Sequence, residues 1–211
     1  MWLLGVRLTR WARWRTPRST ARLLLKLAHA ERSSFYDLIE AANGSADLER
    51  RAQYLRHATD EQRHAAIFRL RALELDPSLA SAPFHVDFEH LFSSLGEPRF
   101  LGVVHLGERR GRAQLTLYRD ELVDRDVKTR ALFDAILKDE AHHESYTEAL
   151  VTPAARRWAW WWEAGRSWRR LGARPTRALF TLSMWVVFGL MAPFSWVSRR
   201  LRRLPTGWQK P

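Results

Sequence analysis

Apolar and small residues recur three or four apart through Leu24, Leu27, Phe35, Leu38 and Ala42, which is the spacing of one helix face. Asn43-Gly44-Ser45 ends that stretch, and Ser45 or Asp47 is available to cap the next. A second stripe runs Tyr54, Ala58, Ala65, Phe68, Ala72. Residues 74–97, with Pro77, Pro83 and Gly96 and with Pro98 just beyond, read as a long connection holding one short helix near Phe88–Phe92. A third stripe follows through Leu101, Val104, Gly111, Leu115, Tyr118 and Leu122, and an acidic corner at Asp120–Asp126 turns the chain. The fourth runs Phe133, Ile136, Thr147, Leu150, and Pro153 closes it. No stretch alternates with period two long enough to suggest a sheet. The pattern predicts an all-α protein, two helical hairpins joined by one long crossover, which is a four-helix bundle topology.

Each stripe is interrupted at its centre by an acid: Glu31, Glu61, Glu108 and Glu140. A buried, unpaired carboxylate is costly, so four of them need a shared partner. Glu61 and His64 stand three apart in Asp60-Glu61-Gln62-Arg63-His64, and Glu140 and His143 stand three apart in Asp139-Glu140-Ala141-His142-His143. Each pair therefore shares a helix face. Glu31 precedes Glu61 by 30 residues and Glu108 precedes Glu140 by 32, with the midpoints inside the two predicted turns. Folding at those turns brings each lone Glu level with its Glu-x-x-His pair. Four carboxylates and two imidazoles suit two divalent first-row metals, iron or manganese, whose charge balances the four acids. Asp60 and Asp139 are placed to orient a histidine of the neighbouring helix, with Arg63 tied to one of them. His29, His57, His105 and His142 read as outer partners or solvent-facing groups. Tyr36, Tyr54 and Tyr118 read as packing residues, and Tyr146, three beyond His143, as the candidate hydrogen-bond donor to the site.

Glu31 followed by Asp60-Glu61-Gln62-Arg63-His64 resembles the acid-spacer-DExRH signature of the ferritin-like di-iron carboxylate proteins. Glu108 with Asp139-Glu140-Ala141-His142-His143 is similar, with His142 standing where the arginine would be. The resemblance covers residues 17–152. It implies a ferritin-like bundle whose metal ligands are Glu31, Glu61, His64, Glu108, Glu140 and His143.

Composition sharpens the picture at the ends. The 211 residues carry a net charge of +12, eleven Trp and no Cys. The lack of Cys excludes a disulfide scaffold, a zinc–cysteine module, an iron–sulfur centre and a cysteine nucleophile. The basicity is terminal: residues 1–20 hold five Arg and no acid, residues 151–211 hold 12 basic groups against one acid, and the middle is mildly acidic. Trp follows the same division, with Trp2, Trp11 and Trp14 at the start and eight more from Trp158 onward. Residues 178–198 carry no charge and, as a helix, span roughly 31 Å, about one hydrocarbon core. Arg flanks that segment on both sides, so charge gives no orientation, and Pro193 offers a bend for a segment that dips in and returns. Trp beside Arg suits a lipid headgroup layer. The competing uses are a buried helix packed on the bundle or on a second copy in a homodimer, and nucleic-acid binding, which leaves the uncharged run unexplained.

The chain accordingly reads as a membrane-surface segment at 1–16, a di-iron bundle at 17–152 and a membrane-associating region at 153–211. The expected activity is O2-dependent oxidation of an apolar, lipid or quinone-like substrate on the cytoplasmic face of the inner membrane, supplied by an external electron donor. The alternatives are iron or peroxide handling without an organic substrate, and tRNA modification.

Overall fold

The computed structural model describes residues 16–83, 86, 88–122 and 126–168. The basic start, corner residues 123–125 and the apolar run 178–198 lie outside them. The chain divides into two compact units after Trp161, and the helices that build the site belong to the first. Among the described residues the fold is all-α: α1 (Pro17–Gly44), α2 (Leu48–Leu75), a 3-10 turn (Pro77–Ser81), α3 (Leu91–Leu95), α4 (Glu97–Glu121) and α5 (Val127–Leu150). Residues 153–168 are helical as well.

The helix starts follow the local chemistry. Thr16 and Ser19 form a reciprocal capping box at α1, with Pro17 in the first turn, where its missing N–H costs nothing. Asp47, rather than Ser45, caps α2, accepting from the backbone N–H of Glu49 and Arg50. The Ser45 hydroxyl donates instead to Glu97 across 2.8 Å. Asp126 caps α5 through the Thr129 N–H. Two prolines act as helix starters and not as breakers: Pro98 lies in the first turn of α4, and Pro153 opens the stretch 153–168. Gly96, at φ 75°, supplies the left-handed turn between α3 and α4 that a side chain would strain. Gly102 lets the helical turn at Ala155 and Ala159 approach closely, since a Cβ there would come within 2.6 Å of the Ala155 carbonyl oxygen.

The short helix lies at Leu91–Leu95, a little beyond the expected Phe88–Phe92. Its first N–H groups point at α1, where Asp37 accepts from Leu91 and Glu40 accepts from Phe92. Tertiary carboxylates thus do the work of a local cap. Burial pushes the Asp37 carboxyl up to about 6; the Leu91 N–H opposes this, and Glu40 and Glu89 add to it. A raised acid holds its proton longer in the folded state, so its penalty grows as pH rises from about 4 to 6. Asp37→Asn should therefore stabilise the protein at pH 7, by up to about 3 kcal/mol, and give no gain at pH 3.5. Urea denaturation at the two pH values checks this.

Two apolar clusters organise the interior. One joins Leu24 and Ala28 of α1, Phe68 and Ala72 of α2, Leu115 and Tyr118 of α4, and Phe133 and Ile136 of α5. The other joins Leu38 and Ala42 with Tyr54, Ala58, Phe100 and Leu101. On α1, α2 and α4 the central acid lies between these clusters in sequence: Glu31 between Ala28 and Leu38, Glu61 between Ala58 and Phe68, Glu108 between Leu101 and Leu115. Removing those apolar surfaces from water drives assembly, and assembly carries the acids inward.

A carboxylate–imidazole centre

Glu61, His64, Glu108, Glu140 and His143 are all buried, and Glu31 is partly so. They come from four different helices, α1, α2, α4 and α5, and meet in one polar layer. Two overlapping donor groups result, one of Glu31, Glu61, His64 and Glu140, the other of His57, Glu61, Glu108 and His143. Within each group, one donor atom per residue lies within 4.8 Å of the others. Opposite donors around one ion with bonds of about 2.0–2.2 Å are about 4–4.4 Å apart, so a modest contraction closes either group on a metal. All six residues expected to act as ligands are in this layer.

The unsatisfied atoms point the same way. Glu61 Oε2, His64 Nδ1, Glu140 Oε1 and His143 Nδ1 are buried with no hydrogen-bond partner. Buried polar atoms are nearly always paired, so four orphans in one place call for a ligand that accepts lone pairs. A divalent cation does so. Burial, reinforced by neighbouring carboxylates, raises the Glu31, Glu61 and Glu140 carboxyls well above their ordinary value. Burial also acts to raise Glu108, but the imidazoles of His57 and His143 outweigh it and hold that carboxyl below the ordinary range. Without a counter-ion the layer keeps protons, which a bound cation would displace. Burial lowers His64, which favours the neutral imidazole a metal needs.

The outer faces of His64 and His143 are fixed across the hairpins. His64 Nε2 lies 3.1 Å from Asp139 Oδ2, and His143 Nε2 lies 3.2 Å from Asp60 Oδ2. Each Nε2–H donates outward, which leaves Nδ1 and its lone pair facing the carboxylates. Arg63 donates to both aspartates, 2.8 Å to Asp60 and 2.9 Å to Asp139. One arginine therefore serves both halves, which explains how His142, exposed on α5, can stand where the second motif would carry its own arginine. Asp60 is held below its ordinary value because His143 and Arg63 outweigh its burial. Asp139→Asn should weaken metal binding by about 10- to 100-fold while leaving the helices formed. Competition against a chelator of known affinity, with circular dichroism as the fold control, measures it.

His57, expected as an outer or solvent-facing group, is buried against two of the candidate carboxylates. It is 1% exposed, and its Nε2 faces Glu61 Oε1 at 3.0 Å and Glu108 Oε1 at 3.5 Å. Its position four before Glu61, on the same face of α2, is the sequence signal that points to this. Tyr146 reaches the centre through it, with the hydroxyl 2.7 Å from His57 Nδ1. Of the other three histidines, His105 is buried and faces the Thr147 hydroxyl at 3.2 Å, His29 is partly buried and His142 is exposed.

No protein-family model, curated protein or solved structure matches the chain.

Proposed function

We propose that this chain is a ferritin-like four-helix bundle holding two divalent metal ions, iron with manganese as the substitute, and that it oxidises an apolar substrate with O2 at a membrane surface. The observation that carries this reading is the set of four orphaned donor atoms, on two carboxylates and two imidazoles, inside a layer contributed by four helices. When bound, the metal pair would supply the reduction of O2 and the oxidising equivalent for the substrate.

The chain's own residues set the conditions for that chemistry. Glu61 belongs to both donor groups and would serve both. Asp60, Asp139 and Arg63 hold the ligand histidines in one tautomer. Phe68, Phe133, Tyr54 and Phe100, each fully buried, keep bulk water from the layer on both sides. With no Cys in the sequence, electrons must come from an external donor.

The membrane part of the proposal rests on the ends of the chain. Trp160 and Trp161 are 55% and 69% exposed beside the exposed Arg156 and Arg157, an aromatic and cationic surface suited to anionic headgroups. Among the described residues no helix is long and apolar enough to cross a membrane, and 178–198 is not among them. We place the bundle on the cytoplasmic face of the inner membrane.

The test compares lipid and quinone extracts from cells with the wild-type chain, with Glu140→Gln and with neither, by mass spectrometry. An oxygen-dependent mass change in one lipid class, absent in the variant, is the expected result. Rapid Fe(II) oxidation without such a product would replace this activity with iron handling.

A further inference from the structure

The two halves of the site are related by a shift of 79 residues, which carries Asp60, Glu61 and His64 onto Asp139, Glu140 and His143. The same shift carries His57 onto Ile136 and Ile67 onto Tyr146. At these two positions a polar residue in one half stands where its mate has an aliphatic one, and the two polar residues touch each other. Tyr146 Oη is 2.7 Å from His57 Nδ1, with the two rings edge-on. The opposite nitrogen of His57 lies against Glu61 and Glu108, and its ring stacks on His143 with centroids 3.7 Å apart.

We infer that His57 is a seventh donor of the centre, aimed by Tyr146, and that the two metal positions are chemically unequal. One position is faced by Glu31, Glu61, His64 and Glu140, with a single nitrogen; the other by His57, Glu61, Glu108 and His143, with two. This deepens the proposed metal centre and rests on it. As a donor, His57 keeps its proton on Nδ1, donates it to the Tyr146 oxygen and turns the Nε2 lone pair inward. As a mere outer partner it would carry the proton on Nε2 and donate to Glu61. The nitrogen-rich position favours Co(II) and Zn(II), while the oxygen-rich one suits Mn(II).

The test is an anaerobic Co(II) titration of the metal-free full chain, followed by the visible absorption of bound cobalt, for wild type, His57→Ile, His57→Gln and Tyr146→Phe. His57→Ile installs the residue of the opposite half. Wild type should fill in two steps with distinct spectra. His57→Ile should weaken the tighter step by at least about tenfold and leave the other unchanged, and Tyr146→Phe should weaken the same step by less. Melting of the metal-free proteins controls for folding, and His57→Gln decides the matter if the isoleucine variant does not fold. Two unchanged steps in the His57 variants, or equal weakening of both, overturns the inference. A wild-type chain that binds no metal overturns the proposed centre itself, so the two failures are distinguishable.

Discussion

Glu140→Gln should remove metal binding and, at the same time, raise the melting temperature of the metal-free protein. The two effects have one cause. Glu140 is 4% exposed, its Oε1 has no hydrogen-bond partner, and burial with the nearby Glu108 and Glu31 carboxylates raises its carboxyl well above the ordinary value. At neutral pH the folded state must either ionise this group at a cost or hold a proton that the unfolded chain releases. An amide of the same shape removes that conflict. It also removes a charged metal donor, so affinity should fall by more than about 100-fold, beyond the loss from disturbing an outer partner. A Glu kept for structure behaves in the opposite way, since its loss breaks hydrogen bonds and lowers stability. Calorimetry of the metal-free proteins at pH 7.5, with metal analysis of loaded samples, separates the two.

Metal loading of the wild type should give the second large effect. Each site filled at a thousandfold excess over its dissociation constant adds about 4 kcal/mol, hence about 8 kcal/mol for two. For a domain of this size that raises the melting temperature on the order of 15–30 °C. The shift should also grow with pH. Glu31, Glu61 and Glu140 have raised pKa values, so the folded metal-free state binds more protons than the unfolded one above the ordinary carboxylate range. Its stability therefore falls as pH rises, and Glu108, lowered by its imidazole neighbours and ionised in both states in this range, adds nothing to the slope. Bound metal replaces those protons and is favoured by their departure. Differential scanning fluorimetry with Mn(II) should show a larger increment at pH 7.5 than at pH 5.5. An increment that shrinks with pH would contradict the assignment.

Much of this centre could be read from the chain because helical periodicity and the Glu-x-x-His spacing are local. Four acids at apolar positions, paired at nearly equal separations, placed Glu31, Glu61, Glu108 and Glu140 in one layer before any coordinates. The cross-hairpin aspartates were legible for the same reason. Arg63 was legible only in part, because its reach to both Asp60 and Asp139 depends on how close α2 and α5 lie. His57 is not singled out by spacing, because four histidines flank the candidate ligands at similar separations; His57 and His105 are both buried, and of the two only His57 lies in a donor group. The start of α3 was misplaced because carboxylates of α1, far away in sequence, satisfy its first N–H groups. Pro153 follows the end of α5 as its position predicts, and Pro98 sits in the first turn of α4, where proline lacks only a hydrogen bond that no helix makes there.

The central claim is that the buried layer exists to hold two metal ions. The most direct measurement loads the purified full chain anaerobically with Fe(II), or with Mn(II), removes unbound metal and determines metal per chain by elemental analysis beside Glu140→Gln. The account predicts two equivalents in the wild type and a clear deficit in the variant. A wild type that retains no more iron or manganese than the variant would contradict it.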